Sequence, residues 1–294
     1  MKSCHLKNSL WGMGDHIWQL PIVRELTCLY DTVYLDTPWP EFYWPLNRVK
    51  TLHPSYSRSQ HQSWDHYRES ILAYPNESWA RPEANDLASA TEVFIDEIYY
   101  ETKSRIRSMQ PFPLPEVLNL SFPLKTEWLR EASSILEDRV PGRPRALIHL
   151  PSTDGNKQPN PRFAPFSAFR NLYEARKDRV NFFDFARIIE GSCEPIGILG
   201  DMPVIRSMGG QAPLLWAVFS LCDMVICTDN HALPLSMAFR KPTVYLGGNV
   251  PLLHLFDDRV DASQVFTVTP QKNGSYDEGE ILLAFDQARH VAGF

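Results

Sequence analysis

Asp15 lies in the run Gly12-Met13-Gly14-Asp15-His16-Ile17-Trp18-Gln19-Leu20-Pro21, where a glycine-rich turn leads into an apolar, helix-like stretch. Such a turn gathers free backbone N–H groups at the positive end of a helix dipole. A carboxylate there has two readings. It is a general base or phosphate neighbour, or it is an N-cap bonding the first helical amides. Three more stretches put polar groups just beyond expected strands: the loop with Ser152, Thr153 and Lys157, the pair Gly200-Asp201, and the turn Asp229-Asn230-His231. Lys157 is either a charge partner for an anion or a solvated loop lysine. The amides of Asn230, His231 and Ala232 offer a helix terminus to a phosphate, while Asp229 equally suits a plain N-cap.

These residues need elements to hold them. The first half reads as a strand over residues 4–9, the glycine turn, a helix, and strands over 32–35 and 49–52. Prolines in the segment 39–45 block a regular element between the last two. Residues 53–85 read mainly as loop, 88–108 and 125–136 as helices. Val140-Pro141-Gly142-Arg143-Pro144 is the linker candidate. A second series follows, with strands over 146–150, 195–199, 224–227 and 243–246. Its helices span 166–175, 213–221, 232–239 and 278–291. Strands alternating with helices imply parallel sheets with right-handed crossovers. In such sheets ligands bind beyond the carboxyl ends of the strands.

The chain of 294 residues, 44% hydrophobic, has room for two domains. A net charge of −6 without a long Lys or Arg run argues against broad, sequence-independent nucleic-acid binding. Five cysteines without C-x-x-C spacing suit a reducing, cytoplasmic setting. There is no signal pattern and no apolar run of about 18 residues, so neither secretion nor a membrane span is expected. No His/Cys/Asp cluster has metal-ligand spacing, and no metal is expected.

The motifs, taken in order, resemble those of the bacterial heptosyltransferases of glycosyltransferase family 9. Met13-Gly14-Asp15 with Leu20-Pro21 resembles the family opening M-G-D-x-x-x-x-L-P. The segment from His149 to Lys157 resembles its strand-end loop, in which two hydroxyl residues precede a lysine by four positions. Cys222 to Asp229 resembles the strand leading to its D-[ST]-G-x-x-H motif, and Arg240 to Gly247 resembles its later K/R-P strand. The chain departs from the pattern at Asp229-Asn230-His231-Ala232-Leu233-Pro234, where His231 stands at the glycine position and Pro234 at the histidine position.

The resemblance implies an α/β chain of GT-B fold, two Rossmann-like domains with parallel sheets facing across a central cleft. Residues 1–142 would be the acceptor-binding domain and 143–276 the donor-binding domain. The helix of 277–294 would pack back toward the first domain. The implied function is an inverting, metal-independent glycosyltransferase with a nucleotide-diphospho-sugar as co-substrate and no further cofactor. Asp15 would be the general base and Lys157 would stabilise the diphosphate leaving group. Ser152, Thr153, Asp201, Asp229, Asn230 and His231 would bind the donor, with Asp201 accepting ribose hydroxyls and His231 taking over the displaced histidine's phosphate contact. Gly14, Trp39 and Trp44 would face the acceptor, since aromatic rings stack well on sugars or bases. That acceptor is a glycan, a small molecule or a modified base in DNA. Two other readings stand beside this one: a non-catalytic nucleotide-sugar-binding relative, and a nucleotide-sugar epimerase or hydrolase.

Overall fold

The computed structural model describes residues 2–8, 12–54, 78–94, 119–136, 138, 140–150, 164–187, 199–200, 202, 204–207, 212–247 and 261–294. The chain divides into two units, Met1–Leu120 and Ser121–Phe294.

In the first unit the elements run β1 (Ser3–Lys7), α1 (Met13–Leu29), β2 (Thr32–Asp36), a 3-10 turn (Pro40–Tyr43), β3 (Val49–Leu52), α2 (Ala84–Ala88) and β4 (Thr91–Phe94). The strands form a parallel sheet in the order β3-β2-β1-β4. Cys4 and Leu6 of β1 and Val33 and Leu35 of β2 are fully buried, the alternation expected of pleated strands. Helix α1 is buried on every side from His16 to Val23. Pro21 lies inside it and removes one i→i−4 bond. Burial rather than propensity therefore sustains this helix.

Strand β4 corrects the expectation of a helix over 88–108. Thr91 to Phe94 pairs in parallel with Cys4 to Lys7 of β1. Residues 95–108 lie outside the described residues.

The second unit contains α3 (Thr126–Ile135), β5 (Arg145–Ile148), α4 (Phe166–Arg176), β6 (Asn181–Arg187), β7 (Val204–Ser207), α5 (Ala212–Leu221), β8 (Met224–Cys227), α6 (Ala232–Ala238), β9 (Thr243–Leu246), β10 (Val265–Val268) and α7 (Glu278–Val291). Its six parallel strands lie in the order β10-β9-β8-β5-β6-β7. Counted from β5, and read from the β7 edge, this is the Rossmann order 3-2-1-4-5-6, with its switch point between β5 and β8. All four residues of β8 and of β9 are buried, as both faces of a parallel sheet require.

Two boundaries differ from the sequence reading. Helix α3 packs on α5, with Trp128 edge-on to Trp216 at 6.0 Å and Phe122 at 5.1 Å from the same ring, so residues from Ser121 belong to the second unit. The 140–144 segment is a tight turn within that unit. Gly142 adopts φ 81°, and Asn181 accepts from the Val140 amide at 3.1 Å and donates to the Val140 carbonyl at 2.9 Å. Helix α7 packs into the second unit's core. Ile281, Ala284, Phe285 and Ala288 enter that core, and Arg176 of α4 pairs with Asp286 at 2.8 Å. Asp277 caps α7 by accepting from the Glu280 amide, and Arg289 and His290 complement the dipole at its last turn.

Candidate functional site

The first βα turn of unit one carries Asp15. Gly12 occupies the N-cap position with extended backbone, φ −61° and ψ 139°, and its carbonyl accepts from the His16 amide at 3.2 Å. Asp15 is thus the third residue of α1. It is not the N-cap, and its half-buried carboxylate lies in the first turn, where the dipole favours negative charge. Gly14, half-buried, sits one residue before it.

Behind this turn lies a buried polar network that the sequence reading did not anticipate. His16 is fully buried. Its Nδ1 is 2.7 Å from the Tyr43 hydroxyl and 3.4 Å from the Thr37 hydroxyl, and its Nε2 is 3.3 Å from the Asn8 amide nitrogen. Asn8 also donates to Gln19 Oε1 at 2.8 Å. An Asn8 amide donating to Nε2 fits a neutral ring whose Nδ1–H donates to Tyr43. Burial pushes the Tyr43 phenol far up, so it stays un-ionised. The Thr37 hydroxyl accepts from the Trp39 amide at 2.9 Å, and the Thr37 carbonyl accepts from the Trp79 indole at 3.0 Å. The network thereby ties the ends of β1 and β2, the 3-10 turn and α1 together. Its only sequence signal was a cluster of polar residues (Asn8, His16, Gln19) set in apolar surroundings.

The two tryptophans proposed for the acceptor part company. Trp39 is fully buried and has no surface for a ligand, because its ring belongs to the core. Trp44 is 46% exposed and lines a cavity of about 390 Å³ beside the 3-10 turn.

In unit two, Asp229, Asn230 and His231 follow β8 and stand beside the end of β5, at the switch point. Thr228 anchors the turn: its hydroxyl donates to the Leu246 carbonyl and accepts from the Ala164 amide, each at 3.0 Å. The Asn230 amide donates to the Thr228 carbonyl at 2.7 Å, and the Asn230 side chain accepts from the Ala232 amide at 2.9 Å. Two of the three amides expected to face a phosphate are therefore engaged within the turn. His231 is the N-cap residue of α6, and Pro234 falls in the first turn, where its missing N–H removes no helical bond. Asp229 is buried at 9% exposure.

The His231 ring lies 4.5 Å from that of His149, at 59°. His149 extends β5, its amide donating to the Ile226 carbonyl at 2.8 Å. Burial pushes its imidazole down to about 4, so it is neutral at pH 7, and its Nδ1 has no hydrogen-bond partner among the described residues. On β6, Asp184 pairs in register with Ile148. Burial pushes its carboxyl up to about 7. The Leu150 amide offsets part of this without making a full hydrogen bond to either oxygen. Neither His149 nor Asp184 was singled out from sequence. The signal for Asp184 was a lone acid inside the aromatic run Phe182-Phe183-Asp184-Phe185. Ser152, Thr153, Lys157 and Asp201 lie outside the described residues. Among the described residues no group of three or more His, Cys, Asp or Glu is placed to hold a metal ion.

No protein-family model matches the chain, and no curated protein sequence matches it. Solved structures do. A glycosyltransferase family 9 protein from Veillonella parvula shares 13% identity, with 99% of this chain and 97% of that one covered at a TM-score of 0.58. The Escherichia coli ADP-heptose lipopolysaccharide heptosyltransferase II shares 11%, covering 98% of each chain at 0.54. The E. coli heptosyltransferase WaaC, solved with ADP, shares 12%, covering 98% of this chain and 99% of that one at 0.55. The chain therefore has the α/β fold of the GT-B glycosyltransferases, two Rossmann-like units carried on parallel sheets. No helix among the described residues is long and apolar enough to cross a membrane.

Proposed function

We propose that this chain is an inverting glycosyltransferase that moves a sugar from a nucleotide-diphospho-sugar to an acceptor hydroxyl without a metal. The observation that carries the reading is the place of Asp15. It stands in the first turn of the helix after β1, in a chain whose GT-B fold matches glycosyltransferases over nearly its whole length. In this role Asp15 takes the proton of the acceptor hydroxyl as that oxygen attacks the anomeric carbon. The bond to the diphosphate breaks, and the diphosphate leaves as an anion. Lys157 receives that charge, aided by the hydroxyls of Ser152 and Thr153. Loss of one such preorganised donor typically costs about 2.7–4 kcal/mol in the transition state. Asp229 and His231 line the donor side with Asn230, and Asp201 takes the ribose. The free thiols of Cys4, Cys28, Cys222 and Cys227 support a reducing, cytoplasmic setting.

One observation favours a second reading, a nucleotide-sugar-binding protein without transfer activity. The amides of Asn230 and Ala232 are consumed inside their own turn, which shifts phosphate binding onto side chains. A thermal-shift screen with ADP-, GDP-, UDP-, CDP- and dTDP-sugars tests both. A ligand at 100 times its Kd stabilises by about 2.7 kcal/mol. ADP-linked sugars head the screen, because a structure of similar fold was solved with ADP. Stabilisation by one nucleotide class followed by sugar transfer supports the enzyme, and stabilisation without turnover supports the second reading. No shift from any of them contradicts both.

A further inference from the structure

The cavity in the first unit is a constructed site. Its wall is the 3-10 turn and the following loop, held by hydrogen bonds from the Leu46 amide to the Tyr43 carbonyl and from the Val49 amide to the Leu46 carbonyl, each at 2.9 Å. The opposite side is β3, to which the segment after Ser78 is fastened. The Ala80 amide donates to the Thr51 carbonyl at 2.7 Å, and the Thr51 hydroxyl donates to the Ser78 carbonyl at 3.1 Å. The cavity of about 390 Å³ falls within the range of small-ligand sites, about 300–1,000 Å³.

Its lining mixes one exposed aromatic plate with neutral hydrogen-bonding groups and one acid. Trp44 supplies the plate, Asn47 an amide and Thr51 a hydroxyl with lone pairs to spare, while Glu41 adds a carboxylate. No Lys or Arg is among the described lining residues. A flat apolar face beside closely spaced acceptors and donors matches a sugar ring. The C–H face of such a ring packs on an aromatic while its hydroxyls donate to oxygens. The carboxylate in the lining disfavours phosphorylated or acidic ligands, and with them a nucleic-acid backbone.

We infer that this cavity binds a neutral saccharide through stacking on Trp44 and hydrogen bonds to Glu41 and Asn47. Resting on the glycosyltransferase reading, the saccharide is the acceptor. Tyr43 links the cavity to the buried network behind the Asp15 turn: it lines the cavity, and its hydroxyl sits 2.7 Å from Nδ1 of His16, the residue after Asp15. Trp44, exposed and outside the core, fixes the ring's plane, while Glu41 sets which hydroxyls are read.

The test titrates the full chain with neutral methyl glycosides of glucose, galactose and mannose and their disaccharides. Binding is read by tryptophan fluorescence and saturation-transfer NMR. At least one probe is expected to bind. Trp44→Ala is expected to weaken it about tenfold, a loss of about 1.4 kcal/mol, and Trp44→Phe to restore most of the affinity. Glu41→Gln is expected to weaken it severalfold, with the melting temperature unchanged in all three variants. No binding by any probe, or unchanged binding by Trp44→Ala, overturns the inference. So does a single-stranded oligonucleotide that binds through Trp44 where the saccharides do not. Saccharide binding through Trp44 with no response to any nucleotide-sugar would instead overturn the glycosyltransferase reading and leave this site standing. Sugar transfer that is indifferent to Trp44 would do the reverse.

Discussion

Each unit buries a histidine at the carboxyl end of its sheet, and the two are held in opposite ways. His16 in the first unit has both ring nitrogens within hydrogen-bond distance of Tyr43, Thr37 and Asn8. His149 in the second has a buried Nδ1 without a partner among the described residues, and Asp184 on the next strand, in register with Ile148, is poorly satisfied. A satisfied buried network rigidifies one geometry, whereas an unsatisfied buried polar group costs free energy, most of all when it is charged. The first unit therefore fixes the helix turn that carries Asp15. In the second, desolvation favours the neutral forms of both titratable groups.

The largest effect that separates the two units is pH dependence. For Asp184 the folded carboxyl, at about 7, lies above its unfolded value, so its stabilisation is present below about 4 and is lost as pH rises through 7. For His149 the folded imidazole, at about 4, lies below its unfolded value, so stability is lost as pH falls from about 6.5 toward 4. Each contributes on the order of 3 kcal/mol. Between about pH 4 and 6.5 the two slopes oppose each other. Denaturation midpoints are expected to rise with pH in Asp184→Asn, whose remaining group is His149, and to fall with pH in His149→Gln. Parallel curves for the two variants and the parent chain would break the comparison.

The network around His16 is probed through its hydrogen bonds. Tyr43→Phe leaves buried Nδ1 of His16 without its shortest partner and is expected to cost about 1–3 kcal/mol. Urea denaturation measures the size. In the second unit, Asn230→Ala removes the acceptor for the Ala232 amide, and a loss of about 1 kcal/mol is expected from the same denaturation series. Trp44→Ala ends the order, with stability expected to change by less than about 0.5 kcal/mol, since the ring is exposed.

The sequence made most of this frame readable, for reasons visible in particular elements. Helix α7 falls at the bounds the sequence suggests, and in the structure an Asp277 cap and basic residues at its last turn agree with them. Strands β8 and β9 were legible as short apolar runs bounded by turn residues. Strand β6 was not, because Asp184 interrupts an aromatic run and only tertiary burial explains an acid there. The same carboxylate that hid the strand is one of the two perturbed groups beside the switch point. Strand β4 was read as helix because Thr91 to Phe94 has no strong period of its own, and pairing with β1 decides its state. The first unit's network was illegible for a similar reason. Asn8, His16, Thr37 and Tyr43 are distant in sequence and meet only when the ends of β1 and β2 close on α1.

The measurement that bears most directly on the account is turnover of a stabilising nucleotide-sugar by Asp15→Asn beside the parent chain, with donor affinity measured on both. Loss of a placed general base is expected to lower kcat about 10²–10⁴-fold while donor affinity stays within about twofold. An Asp15→Asn chain that transfers sugar as fast as the parent would contradict the assignment of Asp15 and the mechanism built on it.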